Sequence, residues 1–273
     1  MAATSRVATR TRLGVAGDYR VRWRLLTFRE PASRGPRTLV TEVRYPAGAG
    51  PFPLLMFAPG FQQCGTPYAD LLRTWASAGY VVATVDFPRT DCRVGTAADE
   101  ADLVNQPADM SYVIGRLLAL SAGHGGPLAG LLDGREVAAA GQSDGGDTVA
   151  ALAANTCCAD HRLAAAAVLS GAEWAPMPGR YFAGHTPPML FTQGSTDAIN
   201  PPWASVQMYR ADRSRARYYL DLPGADHTEP YWGSNPVERL VGRETLAFFD
   251  HYVLGRPGGL PAVAGLVSAG RLP

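Results

Sequence analysis

Five short, unbroken apolar runs constrain this chain more than any other feature: residues 53–58, 80–86, 136–140, 165–170 and 188–192. Runs of that length are too short for core helices and suit β-strands covered on both faces. Between them lie segments with helical spacing of apolar residues, at 68–78, 103–120, 145–154 and 203–210. A further strand is expected at 216–220 and a last helix at 237–254. Strands that alternate with helices imply a mostly parallel central sheet with helices on both faces. Ahead of this pattern, residues 19–28 alternate apolar and polar side chains (Tyr19, Val21, Trp23, Leu25). A Pro/Gly/Ser/Arg-rich turn at 30–37 leads into a similar stretch at 38–45. That alternation is expected of antiparallel strands with one solvated face. The fold class is therefore α/β.

The 273 residues, 47% hydrophobic and 18% charged, suit one domain, expected over 18–255. A net charge of +1 offers no field for nucleic acid or an anionic surface. No window approaches 18 consecutive apolar residues, so no membrane insertion is expected. Residues 1–17 carry Arg6, Arg10 and Arg12, with no acid and no apolar core of a secretory signal. They read as a disordered arm and, on the visible sequence, a cytoplasmic protein; a leader already removed would make it a secreted one. Residues 256–273, rich in Gly, Pro and Ala, read as a loose tail.

The chemistry concentrates in Glu136-Val-Ala-Ala-Ala-Gly-Gln-Ser-Asp-Gly-Gly146. It holds Gly-x-Ser-x-Gly between an apolar strand and an Ala-rich helix, the context of a nucleophile elbow. Glycines at 141 and 145 leave room for the sharp turn, and the helix N-terminus behind Ser143 favours developing negative charge. A serine hydroxyl needs a positioned base. Where a serine stands on such an elbow, the acid and then the histidine follow it along the chain. Of the five histidines, His227 lies in the loop after the strand at 216–220, whereas His251 falls within a helix. The loop after the strand at 188–192 holds one acid, Asp197, expected to orient the imidazole. Asp226 is the competitor, but a sequence neighbour rarely reaches the ring's Nδ1. An oxyanion hole needs two backbone N–H groups. The expected donors are Asp144 and Phe61, with Gln62 as the alternative to Phe61.

These residues resemble a known group. Phe57-Ala-Pro-Gly-Phe61, Gly79-Tyr-Val-Val-Ala-Thr-Val-Asp86, Gly141-Gln-Ser-Asp-Gly145, Gly194-Ser-Thr-Asp197 and Gly224-Ala-Asp-His227 spread over roughly residues 38–253. They are similar to the α/β hydrolases that join dienelactone-hydrolase-like and platelet-activating-factor-acetylhydrolase-like proteins with bacterial cutinases and polyester hydrolases. The resemblance implies the α/β-hydrolase fold, a serine esterase and no cofactor. It implies that Phe61 supplies an oxyanion N–H and an aromatic wall, and that Trp174 stacks on the acyl group. The chain departs from the group at Asp144, where such enzymes usually carry an apolar residue. Its carboxylate is expected at the mouth of the pocket, solvated or hydrogen-bonded, because an unpaired buried charge is costly. Dienelactone hydrolases proper use a cysteine nucleophile, so their substrate class is not carried to Ser143.

Residues 171–186 are too few for a cap domain, so an open site is expected. Its walls would be Phe61, Gln62, Trp174, Trp203, Tyr231 and Trp232, admitting small or extended esters. The same triad could also open lactones, cleave amides or transfer acyl groups, and a catalytically silent binding protein is the remaining alternative. The four cysteines show no zinc spacing, and no metal is expected. Cys64 and Cys92 follow neighbouring strands at the carboxyl edge, where a disulfide is possible. Of the adjacent Cys157 and Cys158, at most one is expected to be bonded.

Overall fold

Residue 58 of one strand stands beside residue 141 of another, and most of the molecule is arranged around that pairing. The computed structural model describes residues 17–31, 35–256 and 266–268. The strands are β1 (Val21–Glu30), β2 (Arg37–Pro46), β3 (Phe52–Ala58), β4 (Val81–Asp86), β5 (Leu132–Gln142), β6 (Leu163–Leu169), β7 (Met189–Gly194), β8 (Arg217–Leu222) and β9 (Leu266–Ser268). They form one sheet in the order β1-β2-β4-β3-β5-β6-β7-β8-β9. Pairings from β4 through β8 are parallel, whereas β1 on β2, β2 on β4 and β9 on β8 are antiparallel. Every residue of β3, β4 and β7 is buried, as unbroken apolar runs require. By contrast Arg22, Trp23, Arg24 and Leu25 of β1, at the sheet edge, face solvent.

Among the described residues five α-helices cover the sheet: α1 (Ala69–Ser77), α2 (Gln106–Ala122), α3 (Asp144–Ala154), α4 (Pro202–Ala211) and α5 (Pro236–Tyr252). On one face α1 and α5 bury Leu71, Trp75, Val241, Phe248 and Phe249 against β3, β4 and β6. Trp75 Nε1 donates to Thr245 Oγ1 at 2.9 Å and fixes these two helices together. On the other face Met110, Val113, Ile114 and Leu117 of α2 pack with Val149 and Leu152 of α3 and Met208 of α4. Each such side chain contributes roughly 1.5–3 kcal/mol by leaving water.

The chain runs from β3 outward to β4, then returns to lay β5 on β3's other side. This reversal opens a crevice at the carboxyl ends of β3 and β5, where ligands of open α/β sheets are bound. Three local differences from the sequence reading have physical causes. Pro107 lacks the N–H a helix interior requires, so α2 starts at Gln106 and Leu103 falls in a preceding 3-10 turn. β5 begins at Leu132, because the strand runs on through an irregularity in its pairing with β3, where the exposed Gly134 and Arg135 break the apolar run. Within the expected tail, Leu266–Ser268 pairs with the free edge of β8, which local composition cannot reveal. Residues 1–16 of the expected arm and 257–265 and 269–273 of the expected tail lie outside the described residues.

Candidate active site at the elbow between β5 and α3

Ser143 links β5 to α3 with φ +57°, in the left-handed region. A non-glycine residue there is strained and persists only where the surroundings fix it. Its N–H donates to Leu169 O at 3.0 Å, and its carbonyl accepts from Asp147 N at 3.0 Å. A Cβ on Gly141 would overlap Gly145 O, and one on Gly145 would overlap Ala58 O. Only glycine lets this turn press onto the end of β3.

The loops after β7 and β8 bring the other two residues to the serine. His227 Nε2 lies 2.9 Å from Ser143 Oγ, and Nδ1 lies 2.7 Å from Asp197 Oδ2. The carboxylate also accepts Gln193 Nε2 at 2.8 Å and the N–H groups of Ile199 and Asn200 at 2.9 Å. A carboxylate held by three further donors directs the Nδ1 proton toward itself and leaves Nε2 as the ring acceptor. Both residues are buried, Asp197 at 4% exposure. Asp226 is exposed and closes its own turn by accepting the N–H groups of Thr228 and Glu229. The Glu229 and Thr228 N–H groups hold its carboxyl below the usual range.

In the loop after β3, Gly60 N donates to the Tyr68 hydroxyl at 3.1 Å and Gln62 N to Thr90 O at 2.8 Å. For Phe61 N, between them, no protein partner is found among the described residues. The loop is tied to the segment after β4 by the Cys64–Cys92 disulfide and by Gln62 Nε2 on Gly95 O at 2.7 Å. A buried chain continues from Thr90 to Gln106 on α2 and Thr148 on α3. The loop and the elbow are thus braced against each other through α2. With both sulfurs bonded, Cys64 and Cys92 do not form a thiolate ligand set with neighbouring Asp91. Cys157 and Cys158 are bonded to each other, against the expectation that at most one would be. They sit in the turn after α3, where the chain holds the two sulfurs together.

Asp144 corrects a second expectation. Its side chain is buried at 8% exposure, not solvated at a pocket mouth, and Oδ2 has no hydrogen-bond partner. Burial lifts this carboxyl to about 7, and Glu100 pushes in the same direction. Asp147, one turn along α3, accepts the Ala172 N–H at 2.5 Å. Burial also raises it well above the ordinary range.

The aromatic walls are only partly where the sequence suggested. Tyr231 is wholly buried beneath the site, its hydroxyl bonded to Ser170 Oγ at 2.8 Å and Thr192 Oγ1 at 3.0 Å. It therefore supports the strands and offers no wall. Phe61 and Trp174 are half-buried, while Gln62 is exposed. Trp232 packs edge-on against Tyr68 with ring centroids 6.1 Å apart. Trp203 is 66% exposed, as is Ile199 at 67% on the same loop-to-helix segment after Asp197. The sequence alone does not single out Gln142, Gln193, Tyr68 or Ile199. Its available signal was a glutamine interrupting the apolar end of β5 and another near the end of β7.

Strand order and the glycine-flanked elbow between β5 and α3 define the class: an α/β-hydrolase fold. The chain matches the family of PET hydrolase-like proteins over residues 33–255 and belongs to it. That family is a polyester hydrolase group within the α/β hydrolases, and the chain is accordingly an ester-hydrolysing serine hydrolase in general type. No individual curated protein matches the chain. Among the described residues no helix is long and apolar enough to cross a membrane.

Proposed function

We propose that the protein hydrolyses carboxylic esters through an acyl-enzyme on Ser143. The hydrogen-bonded chain from Ser143 through His227 to Asp197, on a strained serine, carries this reading. Ser143 Oγ attacks the ester carbonyl while His227 Nε2 takes its proton and then returns it to the leaving alcohol. Water repeats the sequence and releases the acid. Asp197 holds the ring and stabilises the imidazolium. The N–H groups of Phe61 and Asp144 receive the oxyanion; engagement of the N–H groups on either side, at Gly60 and Gln62, favours Phe61.

Small and extended esters are both within reach, since no helix or strand forms a cap between β6 and β7. The Cys64–Cys92 bond suits an oxidising compartment. A fluorophosphonate probe with p-nitrophenyl esters of rising chain length, lactones and amides alongside, tests the assignment. Labelling and ester turnover are expected in the wild type. Ser143→Ala should lose labelling and about 10⁴-fold or more in kcat. Turnover within tenfold of wild type in Ser143→Ala would remove the serine from the mechanism.

A further inference from the structure

Gln142 is the residue before the nucleophile, and its side chain is buried at 1% exposure. A buried primary amide has two N–H donors and one carbonyl acceptor to satisfy. Oε1 accepts the Tyr68 hydroxyl at 2.7 Å. Nε2 donates to the carbonyl of His227 at 3.1 Å and faces His227 Nε2 at 3.2 Å. Tyr68 in turn accepts the Gly60 N–H of the loop after β3. Burial raises the Tyr68 phenol to about 12, so it remains a neutral donor at working pH. The packing is equally close: a Cβ on Gly60 would come within 3.0 Å of Gln142 Oε1.

We propose that Gln142 is a positioning residue for His227, joining the oxyanion loop to the histidine loop through Tyr68 and donating to the ring nitrogen that must take the serine proton. This rests on the triad reading above. The resting ring, protonated on Nδ1 toward Asp197, offers one lone pair at Nε2. Ser143 and Gln142 both approach that lone pair. Once Nε2 is protonated, its N–H points at the amide N–H of Gln142, and that contact turns from attractive to repulsive. Gln142 therefore favours the neutral base and urges the imidazolium to pass its proton on. Around the ring, Asp197 faces Nδ1 from the β7 loop, and Ser143 and Gln142 face Nε2 from the elbow. Asp226 adjoins it in the β8 loop and interacts with it electrostatically, while Tyr68 on the β3–β4 connection reaches it through Gln142.

The pH profile of kcat/KM on p-nitrophenyl butyrate reads this effect directly, because it reports the free enzyme's base. Gln142→Met removes the donor, and its acid limb should move up by about half a pH unit. Plateau kcat of that variant should fall roughly tenfold with KM nearly unchanged, as expected for lost positioning. Gln142→Glu is isosteric and keeps the acceptor for Tyr68 but turns the donor into an acceptor. Its acid limb should move up further, by about one pH unit. If Gln142→Met does not fold, Gln142→Glu carries the test. Acid limbs within about 0.2 unit of wild type, in variants with native near-ultraviolet circular dichroism, would overturn the proposal. An inert wild type that takes no fluorophosphonate would overturn the triad reading and this one together. An active wild type with unmoved limbs would overturn this one alone.

Discussion

At the start of β2, Arg37 is buried between two carboxylates and bonds both. Nε and Nη2 donate to Asp109 at 2.8 and 2.6 Å, and Nη1 and Nη2 donate to Asp102 at 2.8 and 2.6 Å. At the elbow, Asp144 and Asp147 are equally sheltered from water, yet no ion pair reaches either among the described residues. The first arrangement gives each buried oxygen a charged donor and joins β2 to α2. The second leaves Asp144 Oδ2 unpartnered beside Ser143. Burial inclines Asp144 and Asp147 toward their neutral forms, as it does Asp109 even against Arg37. Unpartnered buried oxygens also occur away from the elbow, at Asp212 Oδ2 and Glu244 Oε2, but at the elbow one lies on the residue next to a strained serine.

Four substitutions probe this division, the largest effect first. Asp197→Asn removes the acceptor that fixes the imidazole and should lower kcat by roughly 10³- to 10⁴-fold. Its thermal midpoint should change little, and a stopped assay together with a melting curve checks both. Arg37→Met does the reverse. It leaves two buried carboxylates without their cation and should cost about 3–5 kcal/mol of stability in urea unfolding. The kcat of the protein that remains folded should be preserved; a large fall would show the two regions to be coupled.

Asp144→Asn addresses the uncompensated carboxyl. Its folded value of about 7 lies above the ordinary 3.8, so the folded state keeps the proton longer than the unfolded chain does. Stability attributable to it is therefore greatest below about pH 4 and falls as pH climbs toward about 7, with no further change above. The variant should lose roughly 1–3 kcal/mol of the wild type's decline between those limits. Unfolding in urea at pH 5 and pH 8 measures it, and parallel slopes in both proteins would show that Asp144 ionises without cost. Asp226→Asn should have the smallest effect, less than about threefold on kcat, because that carboxylate is exposed and holds only its own turn. A loss matching that of Asp197→Asn would instead make Asp226 the orienting acid.

Most strands were legible because burial on both faces writes itself as an unbroken apolar run, as at β3 and β7. Loops that follow such runs are fixed to one end of the sheet. Asp197 and His227 could therefore be singled out before any distance was known, and they do lie beside Ser143. Where a strand is half-exposed the signal weakens, and the first residues of β5 were missed. Tyr231 was misread for a related reason. An aromatic in a loop looks the same in sequence whether it borders a site or lies beneath it, and here a hydrogen bond to Ser170 holds it beneath.

By itself, then, the sequence determined the alternation of strands and helices, the glycine-flanked elbow and the order of serine, acid and histidine. These are local properties, set by the periodicity of apolar side chains and by the backbone space that only glycine leaves. The tertiary structure alone decided that Gln142 faces His227, 85 residues away, that Asp144 is buried, and that residues 266–268 complete the sheet beside β8. Those outcomes depend on which surfaces meet across long stretches of chain. A polar side chain's partners, and its access to water, are supplied by elements that its own neighbours in sequence do not specify.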